Sequence, residues 1–166
     1  MKIALTTFLF ALIVSHFSFG QLKIEDLKID TEITGFQLAS ETSGTSIYTP
    51  NGKSDLGTMN PSAFSFTIVP NTNYKSALKE VESLLLMSEQ NGYIISDIVK
   101  KDTIVNGCRT HIISYTENQN GTDYHNQVFN ATIIKDETAI IFLSGDLSKG
   151  KYIENFKKTL FAVEIE

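Results

Sequence analysis

Among 166 residues the chain has no tryptophan, one cysteine, three prolines and one arginine. A lone cysteine excludes an intramolecular disulfide framework. Cys108, set inside an apolar run, reads as a small buried residue rather than a reactive thiol. Few prolines, ten glycines and 42% hydrophobic residues exclude collagen-like, low-complexity and disordered chains. One arginine and a net charge of −5 exclude the basic, arginine-rich surface that nucleic acid requires, and argue equally against an anionic membrane surface. Signatures of chemistry are missing too. There is no H-E-x-x-H, C-x-x-C, P-loop or EF-hand spacing, and Ser144-Gly145 lacks the first glycine of a nucleophile elbow. No catalytic nucleophile, metal or cofactor is expected. The length suits one domain with a core large enough to need no staple.

What is present begins at the N-terminus. Met1-Lys2 gives a short positive start, Ile3 to Val14 carries no charge, and Ser18-Phe19-Gly20 places small residues where a signal peptidase reads them. This is the pattern of a secretory signal peptide, and the apolar run is too short to span a bilayer. Residues 1–20 are expected to be removed near Gly20, leaving one domain over 21–166 that is exported, either periplasmic or secreted. Loss of Lys2 leaves 13 basic against 19 acidic residues, a net charge of −6. No stable membrane insertion is expected after cleavage.

Residues 21–31 are mixed in character and predict a loosely held lead-in. Glu32 to Leu38 alternates weakly, as a strand would, and 40–62 reads as loop with a short strand at Ser46–Thr49. Ala63–Val69 alternates Phe64, Phe66 and Ile68 with Ser65, Thr67 and Val69, a strand ended by Pro70. Ala77, Leu78, Val81, Leu84 and Leu85 make an apolar stripe at helical spacing, with Asn73 placed to cap it and Asn91-Gly92 to stop it. Tyr152, Ile153, Phe156 and Leu160 form a second stripe, which Asp146 or Ser148 is placed to cap.

Between these helices lie four strands, Tyr93–Val105, Cys108–Thr116, Asp123–Lys135 and Thr138–Ser144, turning at Asn106-Gly107, Asn120-Gly121 and Asp136-Glu137. Asn-Gly between alternating runs is a strong hairpin signal, because both central residues need positive φ. With two-residue turns, one face collects Val105, Cys108, Ile112, Phe129, Ala131, Ile133, Ile140 and Phe142. The other collects Ile98, Ile104, Ile113, Tyr115, Val128, Ile134, Ile141 and Leu143. Both faces are apolar, so both need cover. The expected fold is α+β, an antiparallel β-sheet meander sandwiched between helices. Its core should hold Leu78, Val81, Leu85, Phe129, Ile133, Phe142, Phe156 and Leu160.

Four stretches carry a resemblance: FSFTIVP at 64–70, SALKEVESLLL at 76–86, IVNGCRTHIISYTENQNGTDYHNQVFNATIIKDETAIIFLSGD at 104–146, and YIENFKKTLFAVEI at 152–165. In that order of strand, long helix, hairpins and final helix the chain resembles the PsbP-like superfamily. That superfamily includes the extrinsic photosystem protein PsbP, the bacterial periplasmic DcrB family and eukaryotic Ran-binding relatives. The resemblance implies an α/β/α sandwich and a non-enzymatic binding, assembly or chaperone-like role. It carries no site residue onto this chain.

One polar constellation can be placed. A two-residue turn at Asn106-Gly107 sets Asp102 opposite His111, with Arg109 two residues along on the same face. A carboxylate beside an imidazole favours the imidazolium. With Arg109 this would make a small anion-attracting spot, and the alternative is a solvated cross-strand pair. His111 and His125 fall on opposite faces and share no metal. Glu117, Asp123, Asp136 and Glu137 are assigned to turns and to solvent. Asn120-Gly-Thr122 and Asn130-Ala-Thr132 match the glycosylation sequon, the second with Thr132 aimed at a covered face.

The expected function is an exported binding, assembly or chaperone-like module whose partner is another envelope or secreted protein. The alternative is a small-ligand or lipid carrier with an apolar pocket between sheet and helix. A deep enclosed pocket would favour the carrier, an exposed apolar patch the binding module.

Overall fold

The computed structural model describes residues 22–53 and 62–166. The leader expected at 1–20 lies outside the described residues.

The meander follows from its turns. Strands β5 (Ile94–Val105) and β6 (Cys108–Asn118) meet through Asn106 and Gly107, at φ 46° and 74°. Val105 therefore pairs with Cys108, and Asp102 with His111. β7 (His125–Lys135) and β8 (Thr138–Asp146) turn at Asp136-Glu137, with Lys135 opposite Thr138. The turn between β6 and β7 departs from expectation. Pairing stops at Asn118–His125, and the Thr122 amide bonds the Gln119 carbonyl at 3.3 Å. Asn120-Gly121 is the centre of that turn, where Gly121, at φ 71°, takes the left-handed conformation.

The sheet is wider than the meander. β4 (Ser62–Val69) pairs with β8, and β3 (Thr45–Thr49) and β2 (Gln37–Glu41) extend it, giving the antiparallel order β2-β3-β4-β8-β7-β6-β5. Helix α1 (Tyr74–Gln90) carries the chain from β4 to the far edge, and β5 to β8 then fill the gap back to β4. The Asn73 side chain accepts from the Ser76 amide at 3.0 Å and starts α1, and Gly92 at φ 85° follows its end. α2 (Ile153–Ala162) lies on the opposite face.

The N-terminal segment differs from the expected loose lead-in. Ile24 and Leu27 are buried in the same core as Phe156 and Leu160, and β1 (Leu27–Lys28) pairs with β9 (Glu164–Ile165). Glu32 to Leu38 is not a strand throughout. The Asp30 carboxylate accepts from the Glu32 amide at 3.0 Å and holds Thr31–Ile33 in a 3-10 turn, so β2 begins only at Gln37.

The two faces sort as alternation predicts. Val105, Ile112, Phe129, Ala131, Ile133, Ile140 and Phe142 pack under α2 with Phe64, Phe66 and Ile68 of β4. Ile113, Tyr115, Val128 and Ile141 pack under α1. Two expected core positions on that face, Ile98 and Ile104, are exposed instead, at 47% and 60%. They lie on β5, an edge strand, where one side has no further strand to cover them. α1 itself is lightly seated: Ala77 and Val81 are buried, whereas Leu78 and Leu85 are half-exposed. Asn130 is buried with its Oδ1 accepting from the Ser144 amide at 3.0 Å, so a glycan on the second sequon is incompatible with this fold.

Candidate functional site

The β5–β6 hairpin brings Asp102, Arg109 and His111 together, and the first residue of α1, Tyr74, joins them. His111 Nδ1 and the Tyr74 hydroxyl both lie 2.7 Å from Asp102 Oδ1, and Arg109 Nη2 is 3.3 Å from Oδ2. The Arg109 guanidinium also stacks 3.7 Å above the Tyr74 ring. Hydrogen bonds from His111 first, then Tyr74, hold the Asp102 carboxyl down at about 2. Burial first, then the bond to Asp102, pushes the Tyr74 phenol up.

An ionised carboxylate only accepts, so His111 Nδ1 carries the proton in this bond. Its Nε2 is buried without a hydrogen-bond partner, as is the Thr132 hydroxyl on the residue paired with it across β6 and β7. The nitrogen that a general base would offer a substrate therefore faces inward. Arg109 is engaged with Asp102 and Tyr74, so the cluster clasps the start of α1 to the sheet edge. NMR titration of the Asp102 carboxyl is expected to show a midpoint near pH 2. Tyr74→Phe, which keeps the ring under Arg109 but removes one donor, should raise that midpoint. The sign follows: a depressed carboxyl stabilises the fold above its ordinary pKa, and that contribution is lost as pH falls toward 2. A midpoint at the ordinary carboxylate value would rule out the clasp.

A second polar cluster was not legible. Glu117, expected in a solvated turn, is buried, because β6 runs on to Asn118 beneath the last turn of α1. Ser88 Oγ donates to its Oε1 at 2.5 Å, and Asn126 Nδ2 and the Tyr124 hydroxyl donate to Oε2 at 2.8 and 3.2 Å. Burial, reinforced by the neighbouring Glu117 carboxylate, pushes the Tyr115 and Tyr124 phenols up. This group ties α1's C-terminal turn to the β6–β7 loop, as the Asp102 group ties its start. His125 binds Asn118 at 2.9 Å, on the face away from His111. Among the described residues, no group of three His, Cys, Asp or Glu side chains is placed to hold a metal ion.

Two clefts are formed by described residues. One, of about 800 Å³, is open to solvent and lined by charged side chains such as Lys23, Glu25, Asp26, Lys135 and Asp136. The other, of about 610 Å³, is also open and is lined by Lys28, Ile29, Asp30, Ala162 and Glu164. Neither is the apolar pocket between sheet and helix that a carrier would need.

The apolar surface is elsewhere. Among the described residues, six of the eight exposed large apolar side chains lie on the second half of α1 and on β5: Leu86, Met87, Ile94, Ile98, Val99 and Ile104. β5 is also one of the two edges of the seven-stranded sheet, β2 being the other. Val105 and Cys108 flank a two-residue turn and exchange their backbone bonds, so alternation turns the N–H and C=O groups of Ile104, Asp102 and Lys100 away from β6.

No known family model and no curated protein matches the chain. Among solved structures the chain is similar to the cyanobacterial PsbP of Synechocystis sp. PCC 6803. The identity is 10%, over 93% of this chain and 99% of that one, with a TM-score of 0.53. It is also similar to the Ran-binding protein Mog1p of Saccharomyces cerevisiae, at 11% identity over 79% of this chain and 86% of that one, TM-score 0.49. A third is a Pseudomonas aeruginosa protein of unknown function, at 10% identity over 79% of this chain and 97% of that one, TM-score 0.44. The likeness to cyanobacterial PsbP shows the fold, the helix-covered antiparallel sheet that the four sequence stretches implied.

Proposed function

We propose that this PsbP-like fold serves as an exported, non-enzymatic binding module that takes an extended strand of a protein partner on the outer edge of β5. The observation that carries the reading is the coincidence, on one strand, of unpaired backbone groups and exposed Ile98, Val99 and Ile104. Main-chain hydrogen bonds supply affinity in such strand addition, and alternate side chains supply selectivity. The open, charged clefts speak against the carrier, and the inward-facing His111 Nε2 against acid–base catalysis. Export rests on the leader pattern at 1–20.

The test is capture from the exported fraction, with bait whose N-terminus by mass spectrometry begins at Gln21. Wild-type protein should retain a partner that the exposed-edge variant Ile98→Lys/Ile104→Lys loses. Equal capture by both would place the docking surface elsewhere. A bait that still starts at Met1 would remove the export reading.

A further inference from the structure

We propose that the strand received by β5 is β5 of a second copy, joined edge to edge and antiparallel about a two-fold axis at Lys101. The inference rests on the binding reading above and names its partner. Two copies related by an axis normal to the sheet keep the same faces up, so a residue can pair only with one on its own face. On the α1 face, the exposed side chains of β5 are Ile98, Lys100, Asp102 and Ile104. Read backwards against itself with Lys101 at the axis, this row sets Ile98 against Ile104 and Lys100 against Asp102, each twice.

The neighbouring registers are less favourable. Centring the axis on Lys100 sets Lys100 on itself, and centring it on Asp102 sets Asp102 on itself. The register centred on Lys101 also carries one like-charge pair, Lys101 on its own copy, but of these three it alone adds two opposite-charge pairs and two apolar pairs, which stabilise a sheet. In the favoured register Lys100 and Asp102 both turn their backbone groups outward, so each charge pair is also a hydrogen-bonded pair. Both charges are already oriented. Lys100 is held by Glu82 at 2.6 Å, and Asp102 by His111 and Tyr74 at 2.7 Å. Preorganised groups lose less freedom on association.

The same strand carries features that limit indiscriminate pairing. A bulge between Ser96 and Val99, with Asp97 at φ 55° and Ile98 beside it, ends the straight part of the edge, and Lys101 on the other face faces its own copy, a like-charge pair that weakens loose association. The register thus depends on the straight row from Val99 to Ile104, with Ile98 at its bulged end.

Disulfide trapping reads that register. In a Cys108→Ser background of the exported chain, Lys101→Cys puts a thiol opposite itself at a non-hydrogen-bonded pair, where Cα atoms lie about 4.5 Å apart, within disulfide reach. Thr103→Cys, on the same face, sits opposite Val99. Mild oxidation should link the Lys101→Cys chain into dimers and leave the Thr103→Cys chain unlinked. In sedimentation equilibrium, wild-type protein should show a monomer–dimer equilibrium, with Ile104→Lys or Ile98→Lys raising Kd at least about tenfold. Both exposed-site variants should keep the circular dichroism spectrum of the folded chain. A wild-type chain that stays monomeric to about 1 mM, or equal linking at 101 and 103, overturns the proposal. If the monomeric chain still captures a different protein and loses it on Ile98→Lys/Ile104→Lys, the second copy is excluded and the binding reading stands. Loss of both excludes both.

Discussion

Phe142→Ala is expected to destabilise the protein by about 3–5 kcal/mol, the cost of emptying a large core site that collapses only in part. The ring is fully buried, 4.9 Å from Phe66, 5.8 Å from Phe64 and 6.1 Å from Phe129, centroid to centroid. Phe64 in turn meets Phe36, Tyr48 and Phe156, so Phe142 stands where β4, β7 and β8 share one aromatic cluster with α2 and the N-terminal segment. Domain stabilities are about 5–15 kcal/mol, so the loss is a large fraction of the whole. Urea unfolding reads it as a midpoint lowered by roughly 1–3 M at an ordinary slope. Phe161→Ala, at a half-exposed ring on α2, is the control and should move stability by no more than about 0.5 kcal/mol. A Phe142 cost below about 1 kcal/mol would show that the core is not centred there.

The second large effect is at Asp146. This carboxylate is fully buried at the end of β8, and each of its oxygens has work in the loop that leads to α2. Oδ1 accepts from the Ser62 hydroxyl and the Ser148 amide, both at 2.7 Å, and Oδ2 accepts from the Tyr152 amide at 2.6 Å. Asp146→Ala leaves the part-buried Ser148 and Tyr152 amides without this acceptor and the Ser62 hydroxyl with only the Ser148 hydroxyl, 3.1 Å away; a buried donor left unsatisfied costs about 1–3 kcal/mol. A total of about 3 kcal/mol or more is expected, with α2 undocking first. Asp146→Asn is the sharper variant. Its amide can present oxygen to one side only, so its nitrogen confronts either the Tyr152 N–H or the Ser62 and Ser148 donors. It should lose stability despite nearly unchanged volume. Equal stability of Asn and Asp at 146, measured by urea unfolding, would mean that the three bonds do not hold the loop.

The same residues show what local chemistry encodes. Asn106-Gly107 must take positive φ, and from that turn alone the Asp102–His111 pairing follows. Alternation of Phe64, Phe66 and Ile68, and of Phe129, Ala131 and Ile133, is enough to sort two cores onto two faces. Tyr74 was not legible beside Asp102, since a helix start reaches a strand edge 28 residues away only through tertiary packing. Glu117 reads as a turn residue in sequence because polar residues at a strand end look like a turn. Its burial depends on Ser88, Tyr124 and Asn126 converging from three elements. The exposure of Ile98 and Ile104 is hidden from sequence for a related reason. Periodicity reports which face a side chain takes, but the position of a strand within the sheet is set by how α1 and β4 dock.

Residue-resolved amide exchange along β5 tests the central claim most directly, because alternation divides the strand into two sets. The amides of Val99, Lys101 and Thr103 face β6 and should be protected under all conditions. Those of Lys100, Asp102 and Ile104 face outward and should exchange freely at low protein concentration. On raising the concentration of the purified chain, or on adding a captured partner, the outward set should become protected while the inward set stays unchanged. An outward set that exchanges freely throughout, with new protection on another element, would contradict docking at this edge.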